Sequence, residues 1–260
     1  MLDWDLMCSE LAAQEPYWTP GARHGYHTNT FGFLVGEVIR RSSGLPVAEA
    51  LRRYVTGPLQ ADFAWGISEK EFLRTAILYS PDADVSLRGP EDWSKAFPPT
   101  GDSEHDHMIW HAYFNPSGLS GGGVVNSQAW RGAVIPSTNG HGNARAVAVI
   151  YDALLSHRGK RPLLASLQLV DRARSIQTDG EDVVLKRPSR FGLGFQLAQP
   201  SRPLGPNAGS FGHFGYGGSL GFADPDAGMA FGYVRCRPGQ RWQTPRTQAL
   251  IDAVYSALAE

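Results

Sequence analysis

Apolar side chains recur at Phe31, Leu34, Val35, Val38 and Ile39, the spacing of an amphipathic helix with one buried stripe. Arg40 and Arg41 fall in its last turn and Gly44 just beyond it, where the helix dipole and the C-cap favour them. Leu45-Pro46 opens a second short helix through Val47, Ala50, Leu51 and Tyr54, with Gly57-Pro58 as its stop. Between Ser80 and Gly123 the period fades. Pro81, Pro90, Pro98, Pro99 and Pro116 interrupt it, and Trp93, Trp110 and Phe114 read as aromatic anchors of an ordered loop region. Helical spacing returns from Asn143 to His157 through Ala146, Val147, Ile150, Leu154 and Leu155, and a further helix is expected around Leu163–Arg174.

After Lys186 the period changes to two. Phe191, Leu193, Phe195 and Leu197 alternate with Gly192, Gly194 and Gln196 as one half-buried strand should. Ser219–Ala223 and Met229–Val234 read as two more strands around the turn-forming run Asp224-Pro225-Asp226-Ala227-Gly228. The chain closes with a helix capped by Thr244, opened by Pro245 and burying Leu250, Val254 and Leu258. The expectation is an α+β fold: a mainly helical region over residues 1–185, then an antiparallel sheet with a covering helix over residues 186–260.

Composition narrows the partners. With 42% hydrophobic and 19% charged residues the chain can bury a sizeable core, which excludes disorder. The 24 basic and 25 acidic side chains nearly cancel, so nothing points to nucleic acid. No apolar run reaches the ~18–20 residues that span a bilayer. Met1-Leu2-Asp3-Trp4-Asp5 lacks the pattern of a secretion signal, and two cysteines, Cys8 and Cys236, make no disulfide framework, so a reducing cytoplasm is the expected compartment.

Two segments could carry chemistry. Phe211-Gly212-His213-Phe214-Gly215-Tyr216-Gly217-Gly218-Ser219 holds four glycines in nine positions. Glycine weakens a strand by about 0.5–1 kcal/mol relative to alanine and is kept where a ligand or another backbone comes close. The segment reads either as an edge strand lining a cleft with His213 pointing in, or as a glycine-rich bend with a surface histidine. His24-Gly25-Tyr26-His27-Thr28-Asn29-Thr30 precedes the first amphipathic helix. Tyr26 there is either a packing residue or a proton carrier whose pKa neighbouring cations lower, and Thr28 or Asn29 is the helix cap.

Gly25-Tyr26-His27-Thr28-Asn29, running into the helix, resembles the second motif of the serine β-lactamase and penicillin-binding-protein-like superfamily. His213-Phe214-Gly215, followed by Gly217-Gly218-Ser219, is similar to the third motif of its carboxylesterase branch, where His-x-Gly stands for Lys-Thr-Gly. Pro136-Ser137-Thr138-Asn139-Gly140 and Arg190–Phe195 look like segments of the same family. The resemblance implies acyl transfer to a serine, without cofactor or metal, on small carboxylic esters or β-lactam-like substrates. It makes Tyr26 the proton shuttle and His213 the third-motif residue, with Thr28, Gly215 and Gly217 facing substrate. Thr28 stands where the family usually has Asn or Ser.

The family's nucleophile lies in Ser-x-x-Lys, and this chain has none: Ile67, Asp92, His157 and Val183 precede Lys70, Lys95, Lys160 and Lys186 by three residues. Only 25 residues come before Tyr26, so the chain is expected to match the C-terminal two-thirds of such an enzyme. It is then expected to turn over little or nothing, with three C-terminal strands lacking flanking partners and an apolar face uncovered. Ser9, Ser117 and Ser120 are unmarked candidates for another nucleophile. The rival readings are a zinc hydrolase built on His105, His107 and His111, against solvated loop histidines, and a non-catalytic binding or scaffold module of the same fold.

Overall fold

The computed structural model describes residues 1–79, 99–115, 124–155, 166–239 and 243–259. The chain divides into two compact units, each drawn from three separate stretches. The first comprises Met1–Tyr54, Ala64–His141 and Asp182–Lys186; the second comprises Val55–Phe63, Gly142–Glu181 and Arg187–Glu260.

The first unit opens with α1 (Trp4–Ala13), which the periodicity did not announce. Asp3 starts it by accepting the Leu6 amide at 2.9 Å. α2 (Thr30–Ser43) follows as expected and ends at Gly44. Its buried side is a surprise. Gly32, Phe33 and Gly36 are the buried positions, whereas Phe31, Leu34, Val35, Val38 and Ile39, the expected buried stripe, are all exposed. The reason is close approach: the Trp4 ring lies over Gly36, and any side chain there would meet it. Small residues admit the neighbouring helix, so the bulkier apolar side chains project outward. Phe33, Met1, Trp130 and Ile135 form the core of this unit.

α3 (Val47–Leu51) runs into a π turn, Arg52–Thr56, and on into α4 (Gly57–Leu59). Gly57-Pro58 therefore does not stop the helix. Pro58 takes a first-turn position, where its missing N–H costs nothing. After α5 (Glu69–Phe72) comes α6 (Ser103–Phe114), an uninterrupted helix where an ordered loop was expected. No proline falls between Gly101 and Asn115, and Asp102 caps the first turn by accepting the His105 amide at 3.0 Å. Trp93, Ser117 and Ser120 lie outside the described residues. α7 (Gln128–Gly132) and a short ladder of β1 (Phe63–Ala64) with β2 (His141–Gly142) follow.

The second unit is built on a six-stranded sheet in the order β3-β4-β5-β6-β7-β8. Its strands are β3 (Thr178–Asp182), β4 (Arg187–Phe191), β5 (Gln196–Leu197), β6 (Phe211–Phe214), β7 (Leu220–Asp224) and β8 (Met229–Tyr233). The three C-terminal strands thus have partners on one side. The expected single strand over 191–197 is instead a hairpin, because Gly194 adopts φ +85 and turns the chain between β4 and β5. The β7–β8 turn is as expected: Oδ1 of buried Asp224 accepts the amides of Asp226 at 3.0 Å and Ala227 at 3.1 Å.

Both faces of the sheet are covered. On one, Phe211, Ala223 and Leu197 meet Leu154, Leu155 and Val170 from the neighbourhood of α8 (Ala144–Asp152) and α9 (Leu167–Ala173). On the other, Phe214, Leu220 and Phe222 meet Ile251 of α10 (Pro245–Leu258). Thr244 caps α10 as expected, but its buried face is Thr247 and Ile251, while Leu250 and Leu258 are exposed. Tyr255 on the same helix packs against that cluster and donates its hydroxyl to Asp224. Helices with an antiparallel sheet make the fold α+β. Among the described residues no helix is long and apolar enough to cross a membrane.

Candidate active site

In the first unit the Tyr26 loop is clamped from two sides by residues distant in sequence. Oδ1 of Asp182, which is 1% exposed, accepts the backbone amide of Tyr26 at 3.1 Å. The same oxygen accepts the amides of Val184 at 3.0 Å and Leu185 at 2.9 Å, so one carboxylate ties the 182–185 turn to the tyrosine. The Val183 amide donates to the His24 carbonyl at 3.1 Å, which sets the two segments side by side.

The other clamp is the segment 136–140. Asn29 occupies the N-cap position of α2, yet its side chain does not cap. It accepts from Thr138 Oγ1 at 2.6 Å instead, and Ser137 Oγ takes over the capping role by accepting the Gly32 amide at 2.7 Å. Neither Thr28 nor Asn29 is therefore the side-chain cap that local sequence suggested. The segment itself is fixed by Asn139, 1% exposed, which accepts the Ile135 amide and donates to the carbonyls of Trp130 and Ala133. Thr28 Oγ1 is buried and, among the described residues, has no hydrogen-bond partner. A buried hydroxyl without a partner costs about 1–3 kcal/mol, so the loop keeps an unspent polar group two residues from Tyr26.

In the second unit His213 lies on β6, opposite Gly221 of β7. β6 runs between β5 and β7, so it is not the edge strand expected from its glycines; β3, β4 and β5 extend the sheet beyond it. Nor is His213 a plain surface residue. Phe211 and His213 alternate to the same face, the one against which α8 lies, and desolvation pushes the imidazole pKa down, outweighing a backbone contact at Phe214. The ring is neutral at pH 7. It can donate or accept a hydrogen bond but brings no charge.

Gly215 to Gly218 close the strand with a 3₁₀ turn: the Gly215 amide donates to the Ser219 carbonyl at 2.7 Å and the Gly218 amide to the Gly215 carbonyl at 3.0 Å. Gly217 sits at φ +72, and a Cβ there would collide with Pro238. Only glycine fits that backbone. Thr247 Oγ1 donates to the Gly218 carbonyl at 2.9 Å, locking the turn to α10. Arg235 lies against Gly218 and places a cation beside the turn.

Tyr26 and Thr28 thus stand in the first unit, and His213, Gly215 and Gly217 in the second. Ser9 spends its hydroxyl on the Leu6 carbonyl at 3.1 Å. Sequence reasoning missed Asp182, Ser137 and Thr138 as supports of the Tyr26 loop; only the Pro136–Gly140 motif signalled the last two. The histidines 105, 107 and 111 stand on α6 rather than in a loop, and among the described residues no three or more His, Cys, Asp or Glu side chains are grouped to hold a metal.

The family model described as Beta-lactamase matches residues 1–252. The chain is 27% identical to the esterase/beta-lactamase LipL of Mycobacterium tuberculosis, over 91% of its own length and 53% of that protein's. Among solved structures it resembles a penicillin-binding protein homolog from Caulobacter crescentus, at 34% identity and TM-score 0.82 over 98% of this chain and 64% of that one. A family VIII carboxylesterase matches at 30% identity and TM-score 0.83, with the same coverage of 98% and 64%. The chain therefore spans about half the length of the curated relative and less than two-thirds of these two structures. Motifs, fold and family model converge: the chain belongs to the beta-lactamase family, on the carboxylesterase branch of the serine β-lactamase and penicillin-binding-protein-like superfamily.

Proposed function

We propose that these residues provide the proton-shuttle and substrate-strand parts of a serine esterase site, acting on small carboxylic esters and secondarily on β-lactams. Tyr26 carries the proton between nucleophile and leaving group, and Thr28 offers its unspent hydroxyl to the substrate. His213 acts as a neutral hydrogen-bonding group, and the strand through Gly215 and Gly217 holds the acyl group. The observation behind this reading is the Tyr26 loop itself, clamped by buried Asp182 and by Ser137 and Thr138 while a buried hydroxyl beside the tyrosine is left unsatisfied.

The family's nucleophile motif is missing from these 260 residues, since no lysine follows a serine by three positions. On this reading the chain alone does not acylate. A fluorophosphonate or a fluorescent penicillin leaves it unlabelled, and p-nitrophenyl butyrate is hydrolysed at the uncatalysed rate. A longer version that includes Ser-x-x-Lys hydrolyses the ester and loses about 10²–10⁴-fold in kcat on Tyr26→Phe. Covalent labelling of the 260-residue chain, or equal ester hydrolysis by both versions, refutes the proposal.

The same missing motif favours a second reading, a non-catalytic binding module of the family fold. Reversible, saturable binding of an ester or β-lactam without labelling, unchanged when the longer version is tested, distinguishes it.

A further inference from the structure

Outside the site above, a pair of side chains among the described residues has the geometry of metal donors. α6 carries His107 and His111 one turn apart on the same face, with their Nε2 atoms 2.7 Å from each other and ring centroids 4.4 Å apart. In such a contact one nitrogen holds the hydrogen and the other presents its lone pair. Nδ1 of His111 faces the side-chain amide of Asn115 at 3.0 Å. Turned with its oxygen toward the ring, that amide accepts the Nδ1 hydrogen and leaves Nε2 unprotonated, the outer partnership that orients metal-bound imidazoles. His107 is exposed, so water reaches the remaining coordination positions.

The distances suit a chelate. Two imidazoles bound to one ion at about 2.0–2.1 Å and meeting at a right angle place their nitrogens about 3 Å apart. To take the ion the pair spreads by a few tenths of an ångström, the rings turn so that both lone pairs meet at the metal, and His107 carries its hydrogen on Nδ1 in place of Nε2. The helix backbone already holds both donors together, so the second metal–nitrogen bond forms without the ordering cost of a distant ligand.

We propose that His107 and His111 form a two-imidazole site for a borderline divalent transition metal, taking Cu²⁺ more tightly than Ni²⁺ or Zn²⁺, with water completing the shell. The site is independent of acyl transfer. Trp110 supplies its reporter: its ring lies 4.9 Å from His111, edge-on, and 6.4 Å from His107, close enough for bound Cu²⁺ to quench the indole.

The test uses the whole chain with both free thiols removed (Cys8→Ser and Cys236→Ser), because thiolates compete for the ion. Titration with copper(II), followed by tryptophan fluorescence and calorimetry, is expected to show one ion per chain with a Kd on the order of micromolar. His107→Gln and His111→Gln each weaken binding by at least about tenfold, and Asn115→Ala weakens it less. Trp110→Phe removes most of the quenching and leaves the calorimetric affinity in place, as does the control His27→Gln for both signals. The spectrum of Cu²⁺ bound to the parent chain carries nitrogen couplings from two imidazoles. Unchanged affinity in both histidine variants, or no saturable binding below millimolar copper, overturns the assignment. Circular dichroism of each variant confirms that α6 is retained, so a loss of binding reports on the donors.

Discussion

Removing the Asp182 carboxylate is the sharpest probe of how Tyr26 is held. That group is almost wholly buried, and one of its oxygens receives three backbone amides, from Tyr26, Val184 and Leu185. Hydrogen bonds to a charged acceptor contribute about 1.5–3 kcal/mol each. The three share an oxygen and are coupled, so their sum overstates the loss. Asp182→Ala is expected to lower the unfolding free energy by about 4 kcal/mol, since all three buried donors lose their partner. Asp182→Asn keeps an oxygen in place without the charge, and about 2 kcal/mol is expected. Urea titration by circular dichroism measures both. Limited trypsinolysis supplies the local readout: cleavage after exposed Arg23 should accelerate in Asp182→Ala well before global unfolding. A loss below about 1 kcal/mol for the alanine variant, with unaltered cleavage after Arg23, refutes the clamp.

The other expectations concern the same supports and the sheet. Asn139→Ala strips three buried hydrogen bonds from the Ile135 amide and the Trp130 and Ala133 carbonyls, and should cost about 3 kcal/mol in a urea titration. Gly217→Ala forces a side chain into a left-handed backbone against Pro238 and should destabilise by at least about 1–2 kcal/mol; a neutral effect would mean that the turn is not as described. The His213 pKa is depressed in the folded state by burial. Its contribution is therefore fully present above the unfolded value of about 6.5 and is lost as pH falls from there toward the folded pKa. His213→Gln should accordingly flatten the decline of Tm between pH 7 and pH 5, whereas parallel curves would contradict a buried neutral ring.

What could be read from residues alone follows from how local each signal is. The α2 boundaries, the Thr244 cap and the Asp224–Gly228 turn are set by neighbours within a few positions, and all three were legible. Which face of a helix is buried is decided by its partner. The apolar stripe of α2 therefore misled: Gly32 and Gly36 matter because Trp4 and Ser137 come close to them, and no periodicity shows that. β3 escapes notice because, after Thr178, Asp-Gly-Glu-Asp is made of residues that strands disfavour and is held by the ladder beside it. β6 is interior because β5 pairs with it, a partnership that its own glycines do not announce. Motif resemblance draws the eye to Tyr26 and His213, and nothing local draws it to Asp182, because the bond it makes to the tyrosine joins positions 156 residues apart.

That separation bears on biosynthesis. Neither unit is a continuous stretch of polypeptide, and the first is completed by five residues inserted between two strands of the second. A nascent chain emerging from the ribosome at ~5–20 residues per second holds its tyrosine loop without an anchor until the carboxylate at position 182 arrives. The first unit therefore closes only when its last stretch, 182–186, has emerged, long after the bulk of its own residues, and a contact of such sequence separation favours slow, late closure.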